Sequence, residues 1–432
     1  MRPCAGEKSK LPYLWQRNNR TRILSRDIHP SLTLESENMS KENVCPACAS
    51  TDVSVFFEIS DMPVHVGVQW SNQDAARHCP KGDIKLAFCS SCGFITNLAF
   101  DPARLEYTEA YDNTLHFSPF FHEYARSLAA RLIERYNVYN KDVIEIGCGK
   151  GDFLVLLCEL GNNRGVGFDP SHESQRIDSE AAERITFIQD FYSERYASYH
   201  ADLICCRYVF EHIHNPTDFL HVLRRAIGDR LDTVMFFEVP NVLFILGGLS
   251  IWDIVYEHCS YFGAGSLANI FTLCGFDVCD LNKTYQGQYL TIEAVPGKDG
   301  TQSSVDKWND IREIASYVTH FTHNYRNKLK KWQDNLERIE RAGQRAVAWG
   351  AGAKGVGFLN MLKIGDQIEY IVDINPHKHG KYIAGTGQQI VSPEFLRDYQ
   401  PDVVIVMNPI YKKEIQQTVK ELGLTTEFMC IS

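Results

Sequence analysis

Val143-Ile144-Glu145-Ile146-Gly147-Cys148-Gly149-Lys150-Gly151-Asp152-Phe153-Leu154 runs from an apolar stretch through three glycines into a second apolar stretch. The pattern reads as a buried strand, a tight turn and the start of a helix. The glycines are spaced G-x-G-x-G, and Glu145 stands two residues before the first. A dinucleotide site instead uses G-x-G-x-x-G and seats a pyrophosphate on the helix N-terminus. A ligand without phosphates does not need that grip. The backbone at Gly147, Gly149 and Gly151 can approach such a ligand closely, and Glu145 offers a carboxylate to a cationic amino-acid end. Further on, Gly165-Val166-Gly167-Phe168-Asp169 reads as the second strand, closed by an acid that can accept both hydroxyls of a ribose.

Strand and helix patterns alternate from residue 141 to about 295, with strand candidates at 143–146, 165–168, 185–188, 202–208, 233–239 and 289–294. That alternation predicts an α/β fold with a parallel, doubly wound sheet. The turn and the two acids resemble those of class I S-adenosylmethionine (SAM) methyltransferases. Ligands of such sheets gather at the carboxyl ends of strands. Asp190 and Phe191 end the third strand, where an acid and an aromatic ring could bracket an adenine. Glu211 and His212 follow the fourth, near the methyl donor.

Outside this core, Cys45-Pro46-Ala47-Cys48 and Cys89-Ser90-Ser91-Cys92 form two CxxC pairs about 40 residues apart. Four thiolates make a closed tetrahedral zinc site with a structural role. Residues 305–345 contain no proline and one glycine, with apolar residues at helical spacing, and read as a long connecting helix. Beyond it, Gly350-Ala351-Gly352-Ala353-Lys354-Gly355 and Asp373 open a second, small Rossmann-like unit with strands near 368–372 and 403–407. The chain thus divides into a disordered tail (1–40), a zinc-binding module (41–100), a SAM domain (101–300), a connecting helix (301–345) and a C-terminal Rossmann-like substrate-binding domain (346–432). Met39 directly precedes the zinc module, so residues 1–38 are also compatible with sequence upstream of a natural start.

Composition narrows the function. A net charge of −10 argues against a general binder of nucleic-acid backbone. No apolar run approaches the roughly 20 residues of a membrane span. The fourteen cysteines lie mostly singly within strand-like or helix-like segments, which suits reduced thiols in a cytoplasmic protein rather than a disulfide framework.

After the fifth strand, Trp252-Asp253-Ile254-Val255-Tyr256-Glu257-His258-Cys259-Ser260-Tyr261-Phe262 clusters an imidazole, acids and phenols. Methylating carbon needs an acidified C–H and a base, and an imidazole ionises near neutrality. Phenol donors suit an enolate as it forms. With these motifs in hand, the chain after residue 40 resembles the three-domain sugar C-methyltransferases that act on nucleotide-linked keto-deoxysugars. That family carries a four-cysteine zinc module, an E-H-x-x-Y-F segment and a G-A-x-x-K-G turn. The counterparts are Cys45, Cys48, Cys89 and Cys92; residues 257–262; and residues 350–355. The resemblance implies a SAM-dependent enzyme with structural zinc, His258 as general base beside Glu257 and Tyr256, a sugar pocket lined by Tyr111, and His212 close by. Two departures fall on the substrate side. The family's tyrosine three residues before the histidine is Val255 here, and its H-G-G-S-L-like segment is Tyr285-Gln286-Gly287-Gln288-Tyr289-Leu290. These leave open a SAM-dependent O- or N-methyltransferase. The second glycine turn, with Asp373 after it, also keeps a NAD-dependent oxidoreductase as an alternative.

Overall fold

The computed structural model describes residues 43–173, 179–298 and 306–431. The expected disordered tail, residues 1–40, lies outside them. Among the described residues, three sheets carry the fold.

The central sheet is built from β4 (Asp142–Ile146), β5 (Arg164–Phe168), β6 (Ile185–Ile188), β7 (Leu203–Arg207), β8 (Val234–Pro240), β10 (Phe276–Thr284) and β11 (Tyr289–Pro296). Its order is β10-β11-β8-β7-β4-β5-β6. β4 pairs in parallel with both β5 and β7, so the winding reverses there, and ligands of doubly wound sheets bind at that point. The doubly wound core agrees with the sequence reading, with one correction. The sheet is mixed, because β11 runs antiparallel to β8 and β10. β10 was absent from the expected strands; most of its residues are half-buried or exposed, so it lacks an apolar run.

Helices cover the sheet where their stripes dictate. Ser118 caps helix Pro119–Tyr136 by accepting the Phe121 N–H at 3.2 Å, with Pro119 at its first position. Phe121, Ala125, Leu128, Ala129, Leu132 and Ile133 form its buried stripe. This packs with Val143, Leu203 and Phe236 of the sheet.

The N-terminal sheet joins β1 (Val53–Pro63), β2 (Lys81–Cys89), β3 (Ile95–Asn97) and β9 (Ser260–Tyr261). β9 belongs to the E-H-x-x-Y-F segment and pairs with β3 at Ile95–Tyr261 and Thr96–Ser260. The C-terminal sheet is parallel throughout, with order β14-β13-β12-β15-β16: β12 (Ala346–Trp349), β13 (Tyr370–Val372), β14 (Gln389–Val391), β15 (Val403–Val406) and β16 (Glu427–Cys430). The 31-residue helix Ile311–Arg341 ties these outer sheets together. Its buried Phe321 meets Phe57 of β1 at 5.6 Å, and its Trp332 meets Phe358 at 5.1 Å. Among the described residues, no helix is long and apolar enough to cross a membrane.

Candidate active site

At the end of β4 the three glycines all take the left-handed conformation, with φ of +70° at Gly147, +54° at Gly149 and +95° at Gly151. L-residues rarely adopt it, which explains the glycines. A Cβ at Gly147 would collide with Val209, whereas a Cβ at Gly149 would meet nothing within 4 Å. The turn is therefore packed on one side and open on the other. Asp169 ties it to β5: its carboxylate accepts the Gly149 N–H at 2.8 Å and the Ser171 N–H at 2.7 Å. Glu145 is buried, and one of its oxygens has no hydrogen-bond partner. Burial pushes its carboxyl up to about 8, with Arg207 only partly offsetting this. A cationic ligand group would supply the missing partner. Asp190 accepts the Phe191 N–H at 2.8 Å and the Tyr196 hydroxyl at 2.6 Å. Phe191 is exposed, with its ring 6.3 Å from that of Tyr107.

A second cluster forms where the N-terminal sheet meets the loop after β7. Glu257 is fully buried and serves as its hub. It accepts the Val66 N–H at 2.6 Å and the Tyr111 hydroxyl at 2.8 Å. His65 lies 3.6 Å and His212 3.7 Å from its oxygens. Burial would raise its pKa, but His65, His212 and the Val66 N–H outweigh that and hold it below the usual carboxylate value. Tyr107 is hydrogen-bonded to His212 Nδ1 at 3.1 Å. Burial, with the Glu257 charge, keeps both Tyr107 and Tyr111 protonated well beyond the ordinary phenol range.

His212 and His258 meet edge to face with ring centroids 4.9 Å apart. Burial and then the His258 charge push His212 down to about 3. Burial and then Lys354 push His258 down to about 4, well below the near-neutral value expected from sequence. Lys354 comes from the second glycine turn and pairs with Asp253. Both imidazoles are neutral at neutral pH and can accept a proton. The Nδ1 of His258 is buried with no hydrogen-bond partner.

Tyr256 requires a correction. Its hydroxyl accepts the Asp101 N–H at 3.0 Å and its ring packs against Phe100, so it lies in the N-terminal core rather than with the acid. Tyr256 and Glu257 lie in a turn closed by the His258 N–H on the Val255 carbonyl at 3.2 Å, and only Glu257 of the two joins the cluster. Val255 is buried in the same core. The phenol that reaches the acid is instead Tyr111, and Tyr107 of the same loop reaches His212. Of that group, His65 and Tyr107 escaped the sequence reading. His65 is separated from Glu257 by 192 positions, and no local pattern marks either residue. The altered segment at 285–290 faces the C-terminal domain: the Tyr285 hydroxyl donates to that of Tyr411 at 2.7 Å, and Asn408 donates to Gln288 at 3.0 Å.

The four cysteines of the N-terminal module come together. Their sulfurs all lie within 4.8 Å of one another, and the pairs Cys45–Cys92 and Cys48–Cys89 are each 3.7 Å apart. Sulfurs about 2.3 Å from a tetrahedral zinc are about 3.8 Å from each other, so the group is compatible with zinc. No disulfide forms among the described cysteines.

Two family models match parts of the chain. Residues 120–281 match the family described as methyltransferase domain, and residues 304–429 match the C-methyltransferase C-terminal domain. The curated C-methyltransferase NovU of Streptomyces niveus is 26% identical over 314 residues, which span 69% of this chain and 74% of that protein. Among solved structures, the 1,6-didemethyltoxoflavin N1-methyltransferase of Burkholderia thailandensis is 14% identical with a TM-score of 0.31, covering 41% of this chain and 81% of that one. The magnesium protoporphyrin IX methyltransferase of Synechocystis is 19% identical with a TM-score of 0.31, covering 41% and 84%. Both of those structures contain S-adenosylhomocysteine.

Proposed function

We propose that this chain, a class I SAM-dependent methyltransferase carrying a C-methyltransferase C-terminal domain, transfers its methyl group to a carbon beside the ketone of a nucleotide-linked keto-deoxysugar. When bound, SAM supplies an electrophilic methyl group. The 147–151 turn and Asp169 hold its ribose end, and Glu145 receives its ammonium group. Asp190 and Phe191 flank the adenine. His258 takes the proton from the sugar carbon.

The observation that carries the reading is the state of His258. It is a neutral imidazole with a buried, unpartnered Nδ1, its ring 4.9 Å from that of His212, which with Tyr111 flanks the ionised Glu257. Glu257 already has partners and acts by positioning His212 and Tyr111; it is not a free base. Tyr111 and Tyr107 are the phenols nearest the acceptor, in place of Tyr256. Carbon as the methyl acceptor is supported by the likeness to NovU, a C-methyltransferase, and by the matching C-terminal domain; the sugar rests on the resemblance carried by residues 257–262 and 350–355. Cys45, Cys48, Cys89 and Cys92 would hold one zinc as a closed site, leaving no open position for chemistry.

The test is incubation with methyl-labelled SAM and a nucleoside-diphosphate-linked keto-deoxyhexose, followed by carbon NMR of the product. The reading expects a new carbon–carbon bond. It expects His258→Asn to lose about 10²–10⁴-fold in turnover while binding SAM normally. A methyl group on oxygen or nitrogen would transfer the assignment to a heteroatom methyltransferase.

A further inference from the structure

Glu211 is a buried acid that the proposed mechanism leaves unused. It sits in the 3-10 turn Phe210–His212, immediately after β7, and is 2% exposed. Its backbone carbonyl accepts the Cys259 N–H at 3.0 Å, which fixes the turn against the E-H-x-x-Y-F segment. Its side chain, like that of Glu145, is left less satisfied than the other acids of the site. Asp169 accepts two backbone N–H groups, and Glu257 has four partners. Glu238 has Arg207 at 2.8 Å. Among the described residues Glu211 has no ion-pair partner, and its Oε2 is buried without a hydrogen-bond partner. A carboxyl oxygen of Glu211 and ring nitrogens of His212 and His258 all lie within 4.8 Å of one another. Two segments of chain thus bring a carboxyl group and imidazole nitrogens to one small space, and both Glu211, at Oε2, and His258, at Nδ1, carry a buried polar atom without a partner.

A carboxylate in that position would be a buried charge without compensation, which is far more costly than a neutral acid. Burial accordingly pushes the Glu211 carboxyl up to about 8, with Glu238 raising it further against its own backbone N–H. An acid kept neutral can donate a hydrogen bond, and an unpartnered donor beside a base suits a carbonyl that is about to become an enolate.

We propose that Glu211 is a neutral carboxylic acid that donates a hydrogen bond to the ketone oxygen of the substrate while His258 removes the proton from the adjacent carbon. The inference rests on the carbon-methylation reading and adds the electrophilic partner that the reading lacks. In the step, the C–H bond breaks and its proton goes to His258. Its electron pair forms the new C=C bond. The former C=O pair moves onto oxygen, where the Glu211 O–H stabilises it. Glu211 keeps its proton throughout, and return of the pair to carbon restores the ketone.

Two measurements test this, and they fail separately. The first needs no substrate. Infrared difference spectra of wild type against Glu211→Gln at neutral pH should contain the carbonyl stretch of an un-ionised carboxylic acid that the variant lacks. A carboxylate band in its place would overturn the proposal. So would a second tightly bound divalent ion, beyond the cysteine site, that disappears in Glu211→Gln, because a metal ligand is ionised.

The second uses a nucleoside-diphosphate-linked keto-deoxyhexose deuterated beside its ketone, with S-adenosylhomocysteine in place of SAM. Wild type should wash deuterium into water. Glu211→Leu, which removes the donor, should slow the wash-out by about 10²–10³-fold. Glu211→Gln, which keeps an N–H donor, should recover a large part of the rate. Unchanged S-adenosylhomocysteine affinity in both variants would show that the fold survives. Wild-type exchange in Glu211→Leu would overturn the role of Glu211 and leave His258 as base. Wild-type exchange in His258→Asn, or none in wild type, would overturn the underlying reading instead.

Discussion

The 147–151 turn at the end of β4 and the 350–355 turn at the end of β12 are built alike. In each, the aspartate after the neighbouring strand accepts a backbone N–H of the turn: Asp169 from Gly149 and Asp373 from Ala351, both at 2.8 Å. In each, the other carboxylate oxygen accepts an N–H two residues on, from Ser171 at 2.7 Å and Asn375 at 2.9 Å. They part at the surface offered to a ligand. Gly149 opens on free space, whereas a Cβ at Gly355 would strike the Gly350 carbonyl oxygen. Lys378, 3% exposed, donates to the Ala351 carbonyl at 3.1 Å and lies 3.5 Å from Asp373. An ammonium group thus occupies the second site where a ribose would need the acid. The backbone device is therefore shared, and its side-chain surroundings decide whether it binds a cofactor or a neighbouring loop. This removes the support that Gly350, Gly352, Gly355 and Asp373 lent to an oxidoreductase.

The largest effect that sharpens this contrast should come from Glu145, the acid with no counterpart at the second turn. Unfolded, it ionises near 4.5; folded, it keeps its proton up to about pH 8. Its contribution to stability is therefore complete below 4.5 and is lost as pH rises toward 8. Denaturant titrations should find wild type losing up to about 1.4 kcal/mol per pH unit across that window relative to Glu145→Gln. Saturating SAM should reduce the slope, because a cation beside the carboxyl lowers its pKa. A slope that SAM leaves unchanged would break the assignment of the ammonium group.

Glycine substitutions should come next. Gly149→Val puts a side chain into the open space and should weaken SAM binding by about 10- to 100-fold, the effect of about 1–3 kcal/mol of overpacking. Gly355→Ala should cost about 1–3 kcal/mol of stability for the same reason and leave SAM affinity unchanged. Equilibrium dialysis and chemical denaturation read the two quantities; a loss of SAM affinity in Gly355→Ala would break the contrast. Lys378→Met leaves Asp373 without its buried cationic partner and should lower the unfolding temperature. Its effect on SAM affinity should be the smallest of the series, with equilibrium dialysis giving the wild-type value, and the variant should still not bind NAD.

How much of this could be read from the chain alone follows from sequence distance. The turn, Glu145 and Asp169 are local, because strand, turn and helix lie within about 25 residues and their periodicity changes along the way. The four cysteines were legible because each CxxC pair is itself a local signal. Tyr256 was misassigned because β9 adds an edge to the N-terminal sheet, and the turn before it packs Tyr256 into that sheet's core. Nothing near Tyr256 announces a partner strand more than 150 residues earlier. His65 and Tyr107 were invisible for the same reason, and the depressed pKa of His258 follows first from its burial in the fold and then from Lys354 of the C-terminal domain.

The central claim is that the first turn, and not the second, holds SAM. Calorimetric titration of SAM into Asp169→Ala and Asp373→Ala tests it most directly. Asp169→Ala should lose about 1–3 kcal/mol of binding free energy, the worth of a hydrogen bond to a charged group. Asp373→Ala should bind SAM as wild type does, even with a lower unfolding temperature. Equal losses in the two variants, or a loss confined to Asp373→Ala, would contradict the account.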